Sequence, residues 1–157
     1  MFARLALDDE EDIFVRMVVA GLRETMPDEP YDEEVIRGRF QRYLKTANPT
    51  IFFAEHKRKV VGLVLSYMAD FDYRSGFCVT QRLLYVSPEN RGTRAAVVLM
   101  KELIRWGRSI GAAKIDGGND NSFKTDRTAR FLEHFGFKDC GRVMTLNLEE
   151  RGDGQEG

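Results

Sequence analysis

The sequence predicts an α+β domain whose sheet is largely antiparallel but includes one parallel strand–helix–strand unit. Three observations carry this. Up to residue 49, apolar residues recur three and four apart, the period of a helix. From residue 50 the pattern changes to long β-branched and aromatic runs separated by short polar turns. At VSPENRGTRAAVVLMKELIRWGRSIGA (86–112) a strand then passes through an Arg/Gly turn into a long helix, and a further short strand follows. A helix joining two strands of one sheet makes them parallel, with a right-handed crossover.

Asp8–Asp12 put acids where a helix dipole favours them. Ile13, Phe14, Met17, Val18, Gly21 and Leu22 follow at helical spacing until MPDEP breaks the pattern. A second helix carries Val35, Ile36, Phe40, Tyr43 and Leu44 on one face and ends before ANPT. TIFFAEH (50–56), KVVGLVLSYMADF (59–71) and GFCVTQRLLYVS (76–87) are three strands; the polar turns HKRK and DYRSG join them as an antiparallel meander. After the Arg/Gly turn, Ala96, Leu99, Leu103, Trp106 and Ile110 form an apolar stripe that places Trp106 in the core, and Gly111 ends the helix. AKIDGG (113–118) is a short strand, NDNSFKTD a polar loop, RTARFLEHF a helix, and GFKDCGRVMTLNLEE one or two closing strands. With no internal repeat or low-complexity linker, residues 1–148 read as one domain and 149–157 as a flexible C-terminal tail.

A chain of 157 residues with 43% hydrophobic and 31% charged content is an ordinary globular domain. Its net charge of −1 argues against nucleic acid as a partner. The charge is unevenly spread: residues 1–34 hold eleven Asp/Glu and three Arg, whereas 91–130 hold nine Lys/Arg and four acids. Either the first region attracts cations and the second polyanions, or both are solvated faces. Cys78 and Cys140 stand apart without a His partner at ligand spacing, so neither a metal site nor a disulfide framework is expected. No apolar stretch is long enough to span a bilayer and the early acids exclude a signal peptide, which makes a cytoplasmic protein without a membrane partner the expectation.

A loop that leaves a strand and enters a helix exposes backbone N–H groups with no partner inside the helix, and the dipole adds positive charge. Here that loop is Arg91, Gly92, Thr93, Arg94, Ala95 and Ala96: small residues that permit close approach, and two guanidinium groups. It is either an ordinary helix start or an anion cradle. Neither G-x-x-x-x-G-K-[ST] nor G-x-G-x-x-G is present, which excludes the two common phosphate loops.

The stretch LYVSPENRGTRAAVVLMKELIRWGRSIGA, followed by a short strand and RTARFLEHFGFKDCGRVM, resembles the GNAT-type N-acetyltransferases over about residues 50–148. Those proteins carry [Q/R]-x-x-G-x-[G/A] after their fourth strand and a helix ending in G-F after the fifth. The resemblance implies a GNAT fold: a central mixed sheet with an antiparallel N-terminal arm, flanking helices, and a parallel pair that splays at the cofactor site. It implies acetyl-CoA as co-substrate, no metal, its pyrophosphate on the 91–96 loop and its pantetheine arm along the backbone of Leu84, Tyr85 and Val86. Asn119, and with it Asn121, falls on the cofactor-side loop. Two positions depart from the family. Arg94 replaces the central glycine, and Leu132 stands where many members carry a Tyr that protonates the departing thiolate; no Tyr follows Tyr85.

The catalytic residues therefore stay open. Gln81 and Arg82 are poor bases; Glu89 is a base or a loop cap, and Asp116 a base or a structural strand residue. Arg127 and Arg130 reach the phosphates or are solvated, His134 is a surface residue beside a helix end, and His56 lies in a hairpin turn. The expected activity is acetyl transfer to a primary amine of a small molecule or protein, a cationic one if the acids of 28–34 steer it; the alternative is a weakly active or inactive CoA-binding module. A homodimer is among the expected assemblies.

Overall fold

The computed structural model describes residues 1–118 and 124–149. The chain divides into two compact units at Gly118. The first unit contains β1 (Phe2–Leu5), α1 (Glu11–Thr25), α2 (Glu33–Thr46), β2 (Thr50–His56), β3 (Lys59–Asp70), β4 (Phe77–Val86), a 3-10 turn at Pro88–Asn90, α3 (Ala95–Ser109) and β5 (Ile115–Asp116). The second contains α4 (Thr125–Glu133) and the segment after it. Asn119, Asn121 and the tail from residue 150 lie outside the described residues.

The five strands lie in sequence order. β1 to β4 pair antiparallel and β5 pairs parallel to β4, so the mixed sheet with its βαβ unit is as expected. The hairpin between β2 and β3 turns on Lys57 and Arg58, both at positive φ (49° and 63°), the backbone that tight hairpins require. β2 is buried on both faces, because alternation sends Ile51 and Phe53 to the core under α1 and α2, while Phe52 meets Trp106 of α3 edge-on at 5.8 Å.

The helices bury narrower stripes than the apolar pattern suggests. On α2, Ile36, Phe40 and Tyr43 are buried, but Val35 and Leu44 are 55% and 40% exposed. On α3 the buried positions are Ala95, Leu99, Met100, Leu103 and Gly107, and Trp106 is half-buried. Asp32 caps α2 by accepting from the Glu34 amide at 2.9 Å. α3 ends where Gly111 adopts φ 80°.

Two expectations about strands fail. The sheet opens with β1, whose partner lies some fifty residues downstream (Phe2 opposite Glu55) and which no local periodicity announces. Conversely, no closing strand forms over 137–148 among the described residues, and Val143, Met144, Leu146 and Leu148 are 73–92% exposed. The alternating pattern there meets the composition of a strand, but a strand also needs a partner ladder.

β1 is tied down by charge. Arg4 donates to Glu10 from both terminal nitrogens, at 2.9 and 2.7 Å, and to Glu55 at 2.8 Å; Glu10 also accepts from the Leu7 amide at 2.8 Å. Burial alone would push the Glu10 carboxyl up, but Arg4 and the amide overcome it and hold the group below its ordinary value. A depressed carboxylate contributes stability that is present above its unfolded pKa and lost as pH falls through the folded one, so this bracket should weaken below about pH 4.3. Glu10→Gln is expected to remove about 1–3 kcal/mol at neutral pH and to flatten the acid limb of stability against pH. Urea melts at pH 7 and pH 4 that coincide with wild type would remove the bracket's role.

Candidate functional site

The site begins where β5 ends. β5 pairs with β4 only at Val79 and Thr80, so among the described residues the outer edge of β4 is open from Gln81 to Val86. Which backbone groups face that edge follows from the ladder. Ser87 donates to Val61, which makes Leu63–Tyr85 and Leu65–Leu83 the hydrogen-bonded rungs and turns the N–H and C=O of Leu84 and Val86 outward. Before the bulge at Arg82 the parity is reversed: Val79 donates outward, to Lys114. The register shift between Leu65 and Ser66 is what exchanges the two sets. The three expected backbone positions are thus not equivalent. Leu84 and Val86 present main-chain groups at the open edge, whereas Tyr85 turns its main chain to β3 and its side chain to the α1 face.

The loop follows directly. Gly92 takes φ 79°, while Arg94 has φ −82°, so the left-handed position is Gly92 and the departure from glycine at 94 is without strain. Thr93 caps α3 by accepting from the Ala95 amide at 3.3 Å, and the first helical bond runs from Val98 to Arg94. The amides of Ala96 and Val97 have no partner among the described residues, which makes the start of α3 an anion-facing end. Gly92, Thr93 and Arg94 are exposed, Ala95 is buried and Ala96 half-buried.

Arg91 folds back from this loop. Its Nε donates to the Val86 carbonyl at 3.1 Å and its Nη2 to Glu24 of α1 at 2.6 Å, and its guanidinium lies 5.9 Å from the centre of the Tyr85 ring. Burial pushes the Tyr85 phenol up; Arg91 opposes that, while Glu24 and Glu89 add to it. Glu24 raises Arg91 in turn.

Two glycines fit the neighbouring elements to Tyr85. A Cβ on Gly21 of α1 would lie 3.3 Å from the Tyr85 ring, and one on Gly62 of β3 would lie 2.7 Å from the Tyr85 carbonyl oxygen. The second contact is with backbone, so Gly62→Ala must displace β4 at the far end of the open edge. An overpacked core position costs about 1–3 kcal/mol. The variant should melt lower and, where it is still folded, bind the donor more weakly than its stability loss explains; an unchanged melt would show that β3 absorbs the methyl.

The remaining candidates are scattered. Asp116 occupies the last rung before β4 and β5 part, opposite Thr80, with its carboxylate half-exposed and 3.8 Å from Lys114. Glu89 is exposed in the 3-10 turn. Gln81 is buried and Arg82 exposed, and the fully buried Ser66 hydroxyl opposite Gln81 has no partner among the described residues. His56 ends β2. In the second unit Leu132 is the buried residue of α4, and Arg127, Arg130 and His134 are exposed. Among the described residues no group of His, Cys, Asp or Glu could hold a metal, and no helix is long and apolar enough to cross a membrane. Glu24 escapes sequence reasoning because nothing local links it to a loop 67 positions away.

No curated protein sequence matches the chain. Solved structures match its fold throughout. A predicted acetyltransferase with acetyl-CoA from Clostridium acetobutylicum is 18% identical with a TM-score of 0.76, over 96% of this chain and 98% of that one. A transcriptional regulator from Bacillus halodurans is 20% identical with a TM-score of 0.75, over 93% and 98%. An aminoglycoside N-acetyltransferase in complex with CoA is 16% identical with a TM-score of 0.74, over 92% of each chain. The model of the acetyltransferase (GNAT) family matches residues 14–137, from α1 past the open edge and loop to the G-F after α4, and the chain therefore belongs to this family of acetyl-CoA-dependent N-acetyltransferases.

Proposed function

We propose that the protein transfers the acetyl group of acetyl-CoA to a primary amine of a small molecule or protein. One observation carries the assignment of the donor site: the outward main-chain groups of Leu84 and the outward amide of Val86 lead directly into the unpartnered amides at the start of α3. The pantetheine arm, which carries amides of its own, matches the first, and the pyrophosphate the second. Gly92, Thr93, Ala95 and Ala96 allow the close approach, and Arg94 supplies a charge. Tyr85 contributes its ring as packing.

The chemistry asks little of side chains. The thioester is already activated, so holding a neutral amine against it supplies much of the rate. An outward β4 amide donates to the thioester oxygen as charge builds there. Asp116, at the fork of the two strands, is the carboxylate best placed to take the amine proton, directly or through water, ahead of Glu89 in the 3-10 turn. With Leu132 at the family's Tyr position, the thiolate is protonated by solvent. The exposed acids of 28–34 favour a cationic acceptor, and two of the structural neighbours are aminoglycoside acetyltransferases. The family match crosses Gly118, which supports treating 1–148 as one functional domain, and a cytoplasmic enzyme suits a CoA donor.

Calorimetry with CoA and acetyl-CoA, followed by thiol release against a panel of amines, tests this. Micromolar binding and acetylation of at least one polyamine, amino sugar or lysine peptide are expected. Absence of any CoA binding would sink the donor site. Binding with no transfer beyond hydrolysis would leave a CoA-binding module.

A further inference from the structure

We infer that Arg91 is the counter-charge of Glu24 rather than a ligand of the donor's phosphates, and that Glu24 is thereby a positioning residue for CoA. The inference rests on the reading of 91–96 as the CoA loop.

Three contacts direct Arg91 away from the anion-facing amides. Its Nε serves the Val86 carbonyl, closing the far end of the open edge; its Nη2 serves Glu24; and its flat face lies over Tyr85. The side chains of Arg91 and Glu24 are only about one-third and one-quarter exposed (34% and 26%), so the pair is partly withdrawn from solvent. Arg94, by contrast, is exposed, and its side chain makes no hydrogen bond or ion pair among the described residues. The loop thus has one guanidinium committed to the protein and one available to a ligand.

The pairing has an electrostatic consequence. Glu24 sits beside the loop that receives a polyanion, and a carboxylate there repels phosphate unless Arg91 neutralises it. Much of what is lost when one member of a charge pair is removed is the burden of the other, left uncompensated. Arg91 therefore supports CoA binding indirectly, by silencing Glu24 and holding the end of α1 against β4, where Gly21 already packs on Tyr85.

The test is a double-mutant cycle by calorimetry with CoA on the full chain: wild type, R91Q, E24Q and E24Q/R91Q. R91Q should weaken CoA by about tenfold or more, E24Q by less than about threefold, and the double variant should return to within about threefold of wild type. The KM for acetyl-CoA should follow the same order while kcat at saturating donor stays constant, a split that a general loss of structure does not produce. A double variant as weak as R91Q would overturn the inference and make Arg91 a direct phosphate ligand. So would E24Q weakened by about tenfold or more, which would make the pair a structural strut; this arm stands even if R91Q fails to fold. A wild type that gives no CoA heat is a different result, because it overturns the donor site itself.

Discussion

Ala96→Asp is expected to abolish CoA binding while leaving the protein as stable as wild type or slightly more so. Position 96 is the second residue of α3, its amide has no partner among the described residues, and its side chain is half-buried at the helix start. A carboxylate there meets the helix dipole favourably, which is worth about 0.3–1 kcal/mol. The same carboxylate stands in the space where a pyrophosphate would bind, and like charges in contact cost several kcal/mol. A loss of affinity of at least about 100-fold, near 2.7 kcal/mol, is therefore expected. Opposite signs on stability and binding are what separate an anion site from a fold defect. Calorimetry with CoA and a thermal melt on one preparation measure both. Undiminished CoA affinity would place the phosphates elsewhere, whatever the melt shows.

The second large effect is structural. Phe40→Ala should cost about 3–5 kcal/mol, a large share of the roughly 5–15 kcal/mol that holds a domain of this size. Phe40 is fully buried, 5.5 Å from the Phe14 ring of α1 and 5.6 Å from the Tyr43 ring. Tyr43 in turn donates to the Ala6 carbonyl at 2.7 Å, which ties α2 to the end of β1. Removing the ring therefore loosens α1, α2 and β1 together, and the cavity lies between elements that cannot collapse independently. Denaturant melts would show it; a loss below about 1 kcal/mol would mean that the helices close over the gap.

What was legible in the sequence was what local rules decide. The change from strand to helix around Arg91 is written in period, turn residues and capping within thirty positions, and the structure follows it closely. Residue types on the loop announced a helix start with exposed amides, and Gly92 its left-handed turn. Illegible were the consequences of distant pairing. β1 is four residues long with Arg4 in its middle, and only Glu10 and Glu55, brought in by the fold, make that arginine welcome. The pairing of Arg91 with Glu24 could not be read locally, because Glu24 belongs to another helix. That the main chain of Tyr85 faces β3 follows from a one-residue bulge upstream, which cannot be read from composition. The closing strands erred in the other direction: the alternation of VMTLNL is a necessary condition for a strand, and the missing condition is a neighbour.

The bulge at Arg82 divides β4 into two reading frames. Upstream, odd-numbered residues address the parallel neighbour; downstream, even-numbered ones address the open edge, although the strand continues without a break along β3. A strand so built tolerates exchange of side chains on either side of the junction, but not a change of length across it. Inserting one residue just after the junction would put Tyr85 at the open edge and turn Leu84 inward, exchanging the two sets of main-chain groups as far as Val86. Variation within this enzyme should therefore be generous in letters and strict against insertion between Gln81 and Val86, so that chain length at that point, more than identity, is what preserves which main-chain groups face the open edge.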